Sequence, residues 1–236
     1  MAASFRYLAK AASAAFLLSV VVLSVTAGLS VAQAPSERDL KFIAAAEKGD
    51  IATVRKLRSE GARMESRDGR GRTALLAATH GNRVEVARFL IRQGADVNAK
   101  DSIQDTPFLY AGAEGRTEIL KLTLPTANLK DTNRYGGTAL IPAAHHGHVD
   151  AVKVLLGTAI DKNHINKLGW TALLEAVILG NGGKAHTEIV RLLVTANADV
   201  NIADRDGVTP LAHAQRRNYA DIIKILTAAG AKSPAK

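Results

Sequence analysis

The sequence predicts an all-α repeat solenoid of about six helix-turn-helix units that follow an N-terminal signal segment. Five similar segments recur at steps of 33, 32, 33 and 38 residues, and each opens with a threonine: Thr73, Thr106, Thr138, Thr171 and Thr209. A glycine or asparagine stands nine residues after each threonine, and a second apolar segment then leads to sequences such as Gly-Ala-Asp-Val-Asn. Repetition at this period is typical of stacked units, none of which can bury its apolar face alone.

The first 34 residues have the pattern of a secretory signal peptide. Arg6 and Lys10 precede an apolar run over residues 11–31, and the triplet Ala32-Gln33-Ala34 stands before Pro35. The pattern predicts export to the periplasm or secretion, with cleavage after Ala34 and a repeat domain over 35–236. The alternative is an uncleaved anchor, because about 20 apolar residues can span a bilayer. Only in that case do we expect an association with a membrane.

The remaining chain divides into six units with boundaries near 37–69, 70–102, 103–134, 135–167, 168–205 and 206–232. The first unit has Leu40 where the others have threonine. We expect it to be an N-terminal cap, because one face of a terminal repeat meets water. The fifth unit carries five added residues, Asn181–Ala185, which predict an exposed and mobile loop between its two helices.

The residue types at the repeated positions agree with the chemistry of helix ends. Each threonine is expected to be an N-cap, whose hydroxyl accepts a hydrogen bond from a free backbone N–H group. The residue nine positions later is expected to end the first helix in the left-handed conformation, which glycine and asparagine adopt at low cost. Gly180, Asn82 and Asn218 hold this position in three of the units, and Asn197 holds the corresponding position after a second helix.

The second unit resembles the ankyrin repeat in its opening, Thr73-Ala74-Leu75-Leu76, and in its closing sequence, Gly94-Ala95-Asp96-Val97-Asn98. The resemblance covers about residues 37–232. It implies an ankyrin stack of helix-turn-helix-finger units, whose partners dock on the finger tips and on the concave face of the first helices. The family's histidine after Thr-Pro-Leu is replaced, for example by Leu76, and we expect apolar packing to substitute for it.

Matching the family's exposed positions onto this sequence selects a set of residues for binding a protein partner. The set contains Arg70, Arg72, His80, Glu114, Arg134, Tyr135, His145, His146, Trp170 and Arg216. Tyr, Trp and Arg are enriched among the residues that dominate binding energy. Because Arg70, Arg72 and Arg134 are assigned to successive fingers, the set favours a partner with an anionic surface. The finger positions outside this set include Ile103, Asp105 and Leu168.

Three histidines near one another, His145, His146 and His148, suggest an alternative function. Histidine is a common metal ligand, so the alternative is an exported protein that binds a small ligand or a metal through this cluster. Adjacent histidines on a helix point in different directions, however, and neither cysteine nor a carboxylate completes a four-ligand set. We therefore predict no metal site.

Composition and motifs exclude several other classes of function. The sequence has no nucleophile elbow, phosphate-binding loop or dinucleotide fingerprint, so we expect neither an enzyme nor a cofactor. The 31 Lys and Arg residues exceed the 22 Asp and Glu residues, but no dense basic stripe is present, and we expect no binding of nucleic acid. The absence of cysteine excludes disulfide bonds and thiolate chemistry.

Overall fold

The computed structural model describes residues 34–232, so the predicted signal peptide up to residue 33 and the tail 233–236 lie outside the described residues. The described part of the chain contains twelve α-helices. They are α1 Glu37–Lys48, α2 Ile51–Ser59, α3 Ala74–His80, α4 Val84–Arg92, α5 Pro107–Ala113, α6 Thr117–Thr123, α7 Leu140–His145, α8 Val149–Leu156, α9 Ala172–Ile178, α10 Lys184–Thr195, α11 Pro210–Arg216 and α12 Ala220–Ala228. None of these helices is long and apolar enough to cross a membrane.

The helices stack as six successive pairs, which confirms the predicted all-α solenoid. The first helix of each pair packs on the first helix of the next pair, and the second helices form a parallel outer layer. One buried apolar side chain from each inner helix contributes to a continuous core. These side chains, at equivalent positions of the six units, are Phe42, Leu75, Phe108, Leu140, Leu173 and Leu211. Each unit is therefore stabilised mainly by its two neighbours.

Four of the five threonines cap their inner helices as predicted. The hydroxyl oxygen of Thr106, for example, accepts a hydrogen bond from the N–H of Leu109 at 3.0 Å. The prediction is wrong for Thr138, whose hydroxyl is buried and has no hydrogen-bond partner among the described residues. The N–H of Ile141, which a capping hydroxyl would engage, donates instead to the carbonyl oxygen of Thr138 at 3.2 Å. Helix α7 consequently begins at Leu140, with Ala139 as its N-cap residue.

This difference between two threonines can be measured. We expect Thr138→Val to leave the free energy of unfolding unchanged or to raise it by about 1 kcal/mol, because it removes a buried hydroxyl that has no partner. The matched change Thr106→Val is expected to cost about 1 kcal/mol through loss of the cap. Urea unfolding followed by circular dichroism measures both values. Equal losses in the two variants would contradict the assignment.

The first unit departs from the alignment at its N-terminus. Helix α1 begins at Glu37, and its N-cap Ser36 lies four residues before Leu40, the position that the alignment predicts for the cap, because Ser36 and Asp39 form a capping box. The Asp39 carboxylate accepts from the Ser36 N–H at 2.9 Å and pairs with the Arg63 guanidinium at 2.8 Å. A capping box satisfies two free backbone donors at once. This end of the stack is thus closed by polar contacts within the unit.

The left-handed residues at helix ends mostly confirm the prediction. Asn82, Asn197 and Asn218 have φ angles of 53°, 61° and 56°. Gly180 is the exception, since it has no positive φ, and the left-handed residue between the two helices of the fifth unit is Gly182, with φ of 67°. The added segment accounts for the shift because it moves the start of the outer helix to Lys184. The last two added residues are therefore helical.

The added segment also contacts the next unit. The phenol hydroxyl of Tyr219 donates to the carbonyl oxygen of Gly180 at 3.0 Å, and a Cβ atom at Gly182 would lie 2.4 Å from the Tyr219 ring. Similar contacts with the backbone of the preceding unit occur at two other positions. The Arg83 side chain donates to the Glu47 carbonyl at 3.0 Å, and the His186 ring contacts the His145 carbonyl at 2.8 Å. Polar contacts between units thus supplement the apolar packing that was expected to replace the family's histidine.

Candidate functional site

Five Asp and Asn residues hold the fingers in one repeated conformation. They are Asp68, Asp101, Asn133, Asn166 and Asp204, and they recur at the same steps as the threonines. In each, the side-chain oxygen accepts from the backbone N–H groups two and four residues later; for Asn133 these donors are Tyr135 at 2.9 Å and Gly137 at 3.0 Å. Such side-chain to backbone bonds stabilise turns. We call this series of five residues the ladder. It is visible in the sequence, although the predicted register was taken from the threonines.

The ladder brings one residue of every finger to an equivalent tip position. The tips are Arg70, Ile103, Tyr135, Leu168 and Asp206. The three middle tips are large apolar side chains, and Ile103, Tyr135 and Leu168 are 46%, 51% and 47% exposed. We call these three residues the apolar stripe. Two pairs of neighbouring fingers are joined by backbone hydrogen bonds, from the Ser102 N–H to the Arg70 carbonyl at 3.1 Å and from the Lys167 N–H to the Tyr135 carbonyl at 2.9 Å. The second bond links the Tyr135 and Leu168 fingers of the stripe.

A groove of about 390 Å³ lies beside the stripe, between the middle fingers and helices α5, α7 and α9. We call it the central groove. Tyr135 and Leu168 form part of its wall together with Ile141, Pro142 and Leu179. The groove brings together half of the predicted contact residues: Glu114, Arg134, Tyr135, His145 and His146. Ligand-binding surfaces commonly combine an apolar lining with a few polar groups in this way.

The other predicted contact residues lie outside the groove lining. Arg70 and Arg216 are exposed on the first finger and on α11. His80 stacks on Tyr110, a groove residue, with ring centroids 3.7 Å apart. Trp170 is half-buried at the base of its finger, where its backbone N–H donates to the Asn166 side-chain oxygen at 3.0 Å. With Arg72, described next, five positions of the predicted set thus lie outside the central cluster.

The expectation that Arg72 faces a partner is not met, because its side chain is bound within the chain. Arg72 is only 5% exposed. Its guanidinium donates to the Glu47 carboxylate at 2.8 and 3.0 Å and to the Asp68 carboxylate at 2.8 Å. Two carboxylates neutralise this arginine, so it contributes little to attraction of an anionic partner.

Two carboxylates of the groove have no hydrogen-bond donor or ion-pair partner in contact with them among the described residues. The carboxylates of Asp105 and Glu114 form neither an ion pair nor a hydrogen bond with any residue of the range 34–232. Burial, with a smaller contribution from the charge of Asp101, raises the pKa of Asp105 to about 6, although the charge of Arg134 acts in the opposite direction. The single arginine of the lining, Arg134, lies over the Tyr135 ring at 4.6 Å from its centroid. Glu114 belongs to the predicted contact set, whereas Asp105 does not.

A third carboxylate, that of Glu175, lies at the floor of the groove and is 5% exposed. It accepts a hydrogen bond from the Asn166 side chain at 2.9 Å, and His145 Nδ1 lies 3.4 Å from its other oxygen. Burial raises the pKa of Glu175 and lowers the pKa of His145. Burial thus disfavours the charged forms of both side chains.

The histidine cluster does not assemble a metal site. The ring of His146 is tilted against that of His145, with centroids 4.6 Å apart, and its Nδ1 lies 2.8 Å from the Ala113 carbonyl oxygen. The ring of His148 packs against Gly115. Within residues 34–232, no three His, Cys, Asp or Glu side chains are arranged so that they could hold a metal ion. The metal-binding form of the alternative function therefore has no arrangement of ligands among these residues to support it.

Comparisons with known proteins agree with this architecture. A family model described as ankyrin repeats, in three copies, matches residues 42–130, 114–204 and 160–236. The chain is 36% identical over 192 residues to YahD of Escherichia coli (strain K12), which carries the name of an ankyrin repeat protein, and the match covers 80% of this chain and 96% of YahD.

Solved structures are similar over most of the chain. The crystal structure of an ankyrin repeat domain from Acinetobacter baumannii AYE has a TM-score of 0.79 and 52% identity, covering 82% of this chain and all of that domain. The ankyrin repeat domain of Bcl-3, a member of the IκB family, has a TM-score of 0.74 and 25% identity, covering 83% and 88% of the two chains.

Proposed function

Because the chain belongs to the ankyrin repeat family, we propose that it is a non-catalytic module that binds another protein through the apolar stripe and the central groove. Ankyrin repeats generally mediate interactions between proteins, and stacked repeats form extended binding surfaces. They are generally not enzymes. The specific binding face is our inference, and it depends on the residues that distinguish this chain from the shared scaffold.

The observation that supports this face is the exposure of Ile103, Tyr135 and Leu168 at equivalent tips of three successive fingers. An exposed cluster of large apolar side chains beside a groove is typical of a surface that a partner covers. The polar side chains around it, such as Glu114 and His146, resemble the rim of an interface. The stripe therefore identifies the centre of the proposed contact, and the groove extends it toward the inner helices.

Capture of the partner tests this proposal. The full chain is immobilised and exposed to an extract of its own host, and the bound proteins are compared between the unchanged chain and the double variant Tyr135→Ala with Leu168→Ala. We expect the variant to lose the captured protein while keeping its circular-dichroism spectrum, because truncation of central aromatic and apolar contacts typically costs binding most.

The chain offers a matched control in Leu40 and Ile165, which are 43% and 51% exposed and do not line the groove. The double variant Leu40→Ala with Ile165→Ala is expected to capture the partner as well as the unchanged chain does. Equal capture by the stripe variant would refute the assigned face, and a chain that captures nothing would count against the binding function itself.

We also propose that the module acts outside the cytoplasm, after removal of residues 1–34. The proposal is supported by the basic residues, the apolar run and the Ala32-Gln33-Ala34 triplet of the N-terminal sequence. N-terminal sequencing of the protein recovered from its host is expected to begin at Pro35. A sequence that begins at the first residues, on a protein held in the membrane fraction, would favour the uncleaved anchor.

A further inference from the structure

We propose that the central groove binds a linear segment of the partner in which one Lys or Arg side chain, flanked by apolar residues, pairs with the carboxylates of Asp105 and Glu114. This inference rests on the proposed function and specifies the chemistry of the partner. The sequence pattern favoured an anionic partner instead, and the placement of the arginines and carboxylates leads to the opposite preference.

The charge of the groove supports a cationic occupant. Two carboxylates without a hydrogen-bond donor among the described residues line it, those of Asp105 and Glu114, against one arginine, Arg134, whose guanidinium lies over the Tyr135 ring. Asp105 is partly buried, and no donor of the described residues reaches its carboxylate. A partly buried carboxylate without donors is unfavourable, and a donor cation from a partner would supply the missing interactions.

The shape and lining of the groove support a peptide segment and not a free ion. Its volume is about 390 Å³, which is much more than one ion needs, and apolar side chains of Ile141, Pro142 and Leu179 line it beside the carboxylates. Tyr135 and Leu168 extend the apolar surface to the finger tips. Apolar residues on both sides of a Lys or Arg would contact this lining while the long side chain reaches the carboxylates.

Selection from a random peptide library displayed on phage, with the immobilised full chain as target, tests the inference. We expect the enriched peptides to share a Lys or Arg next to apolar residues. The best of them is then synthesised with a fluorescent label, and its affinity is measured by anisotropy. Replacement of its Lys or Arg by norleucine is expected to weaken binding about ten- to a hundredfold, the usual effect of losing a hydrogen bond between charged groups.

Two variants of the chain complete the test. The double variant Asp105→Asn with Glu114→Gln is expected to weaken binding of the basic peptide by a similar factor and to leave binding of the norleucine peptide unchanged. The control, Asp150→Asn with Glu188→Gln, removes the same charge from exposed positions of α8 and α10 and is expected to bind both peptides normally.

The outcomes separate this inference from the proposed function. Enrichment of acidic or uncharged peptides, no enrichment at all, or unchanged affinity in the Asp105 and Glu114 variant would overturn the inference. If binding of protein partners still depended on Tyr135 and Leu168 in that case, the proposed function would stand. Failure of both the peptide test and the capture test would refute both.

Discussion

Truncation of Phe108 to alanine is expected to lower the free energy of unfolding by about 3–5 kcal/mol, the range for large cavities in a packed core. Phe108 is fully buried in α5, and it belongs to the core position that recurs in all six units. Its unit lies in the interior of the stack, so the cavity weakens the contacts to both neighbours.

Urea unfolding followed by circular dichroism measures this loss. The matched control is Phe42→Ala, which removes the same side chain at the equivalent position of the terminal unit. We expect the Phe42 variant to unfold its end of the stack early and to leave the remaining transition near its original midpoint. The Phe108 variant should instead shift the main transition. A loss below about 1 kcal/mol for Phe108 would be inconsistent with its position in the core.

Replacement of Arg72 by methionine is expected to cost about 2–4 kcal/mol of stability, somewhat less than the full effect of breaking a buried ion pair. The side chain of Arg72 is buried, and it joins Glu47 of the first unit to Asp68 of the adjoining finger. The change leaves the partly buried Asp68 carboxylate without its guanidinium partner. Glu47 is more exposed and recovers contact with water, which is why the expected cost lies below the upper limit.

The effect of this change depends on pH. Hydrogen bonds from Arg72 lower the pKa of Glu47; burial would raise the pKa of Asp68, but the hydrogen bonds from Arg72 outweigh it and leave that pKa lowered as well. A carboxyl group with a lowered pKa in the folded state stabilises that state above its unfolded pKa, about 4, and the contribution is lost as the pH falls through the folded value. The gap between the unchanged chain and the variant should therefore shrink on acidification.

The Arg72 variant also tests the correction to the predicted contact set. At neutral pH and low temperature, where the variant remains folded, we expect it to capture the partner as the unchanged chain does. The conservative change Arg72→Lys should restore part of the stability, because a lysine can pair with one carboxylate but not with both in the same geometry. Loss of capture by a folded Arg72→Met protein would indicate that Arg72 contacts the partner, as the sequence predicted.

The sequence predicted the repeat register, the number of helix pairs and most helix ends because these depend on residue types at fixed spacing. It was wrong where another hydrogen-bond acceptor lies nearby, or where a residue distant in the sequence determines which contacts a side chain makes. At Thr138, the Ile141 N–H donates to the backbone carbonyl oxygen of Thr138 and not to its hydroxyl. At Arg72, the deciding partner is Glu47, which lies 25 residues earlier in the chain, in the preceding unit.

The proposed binding surface was also predicted only in part. The alignment placed Tyr135 and Glu114 on the exposed face, and both line the central groove. It could not select Ile103, Leu168 or Asp105 as contact residues. The exposure of a side chain and its lack of a hydrogen-bond donor depend on the residues packed around it and not on its position in the repeat. The Asp and Asn ladder at the finger bases would have defined the tip positions and so identified the apolar stripe.

That ladder separates the part of a finger that sets its shape from the part that we propose meets a partner. In each finger the turn is held by bonds from backbone N–H groups to the base residue, as at Asn133, so the identity of the tip side chain two positions later does not enter the bonds that fix the turn. Tip residues can therefore be exchanged at little cost to stability. The proposed specificity for a partner could thus be changed one finger at a time, in evolution or by design, while the rest of the fold stays the same.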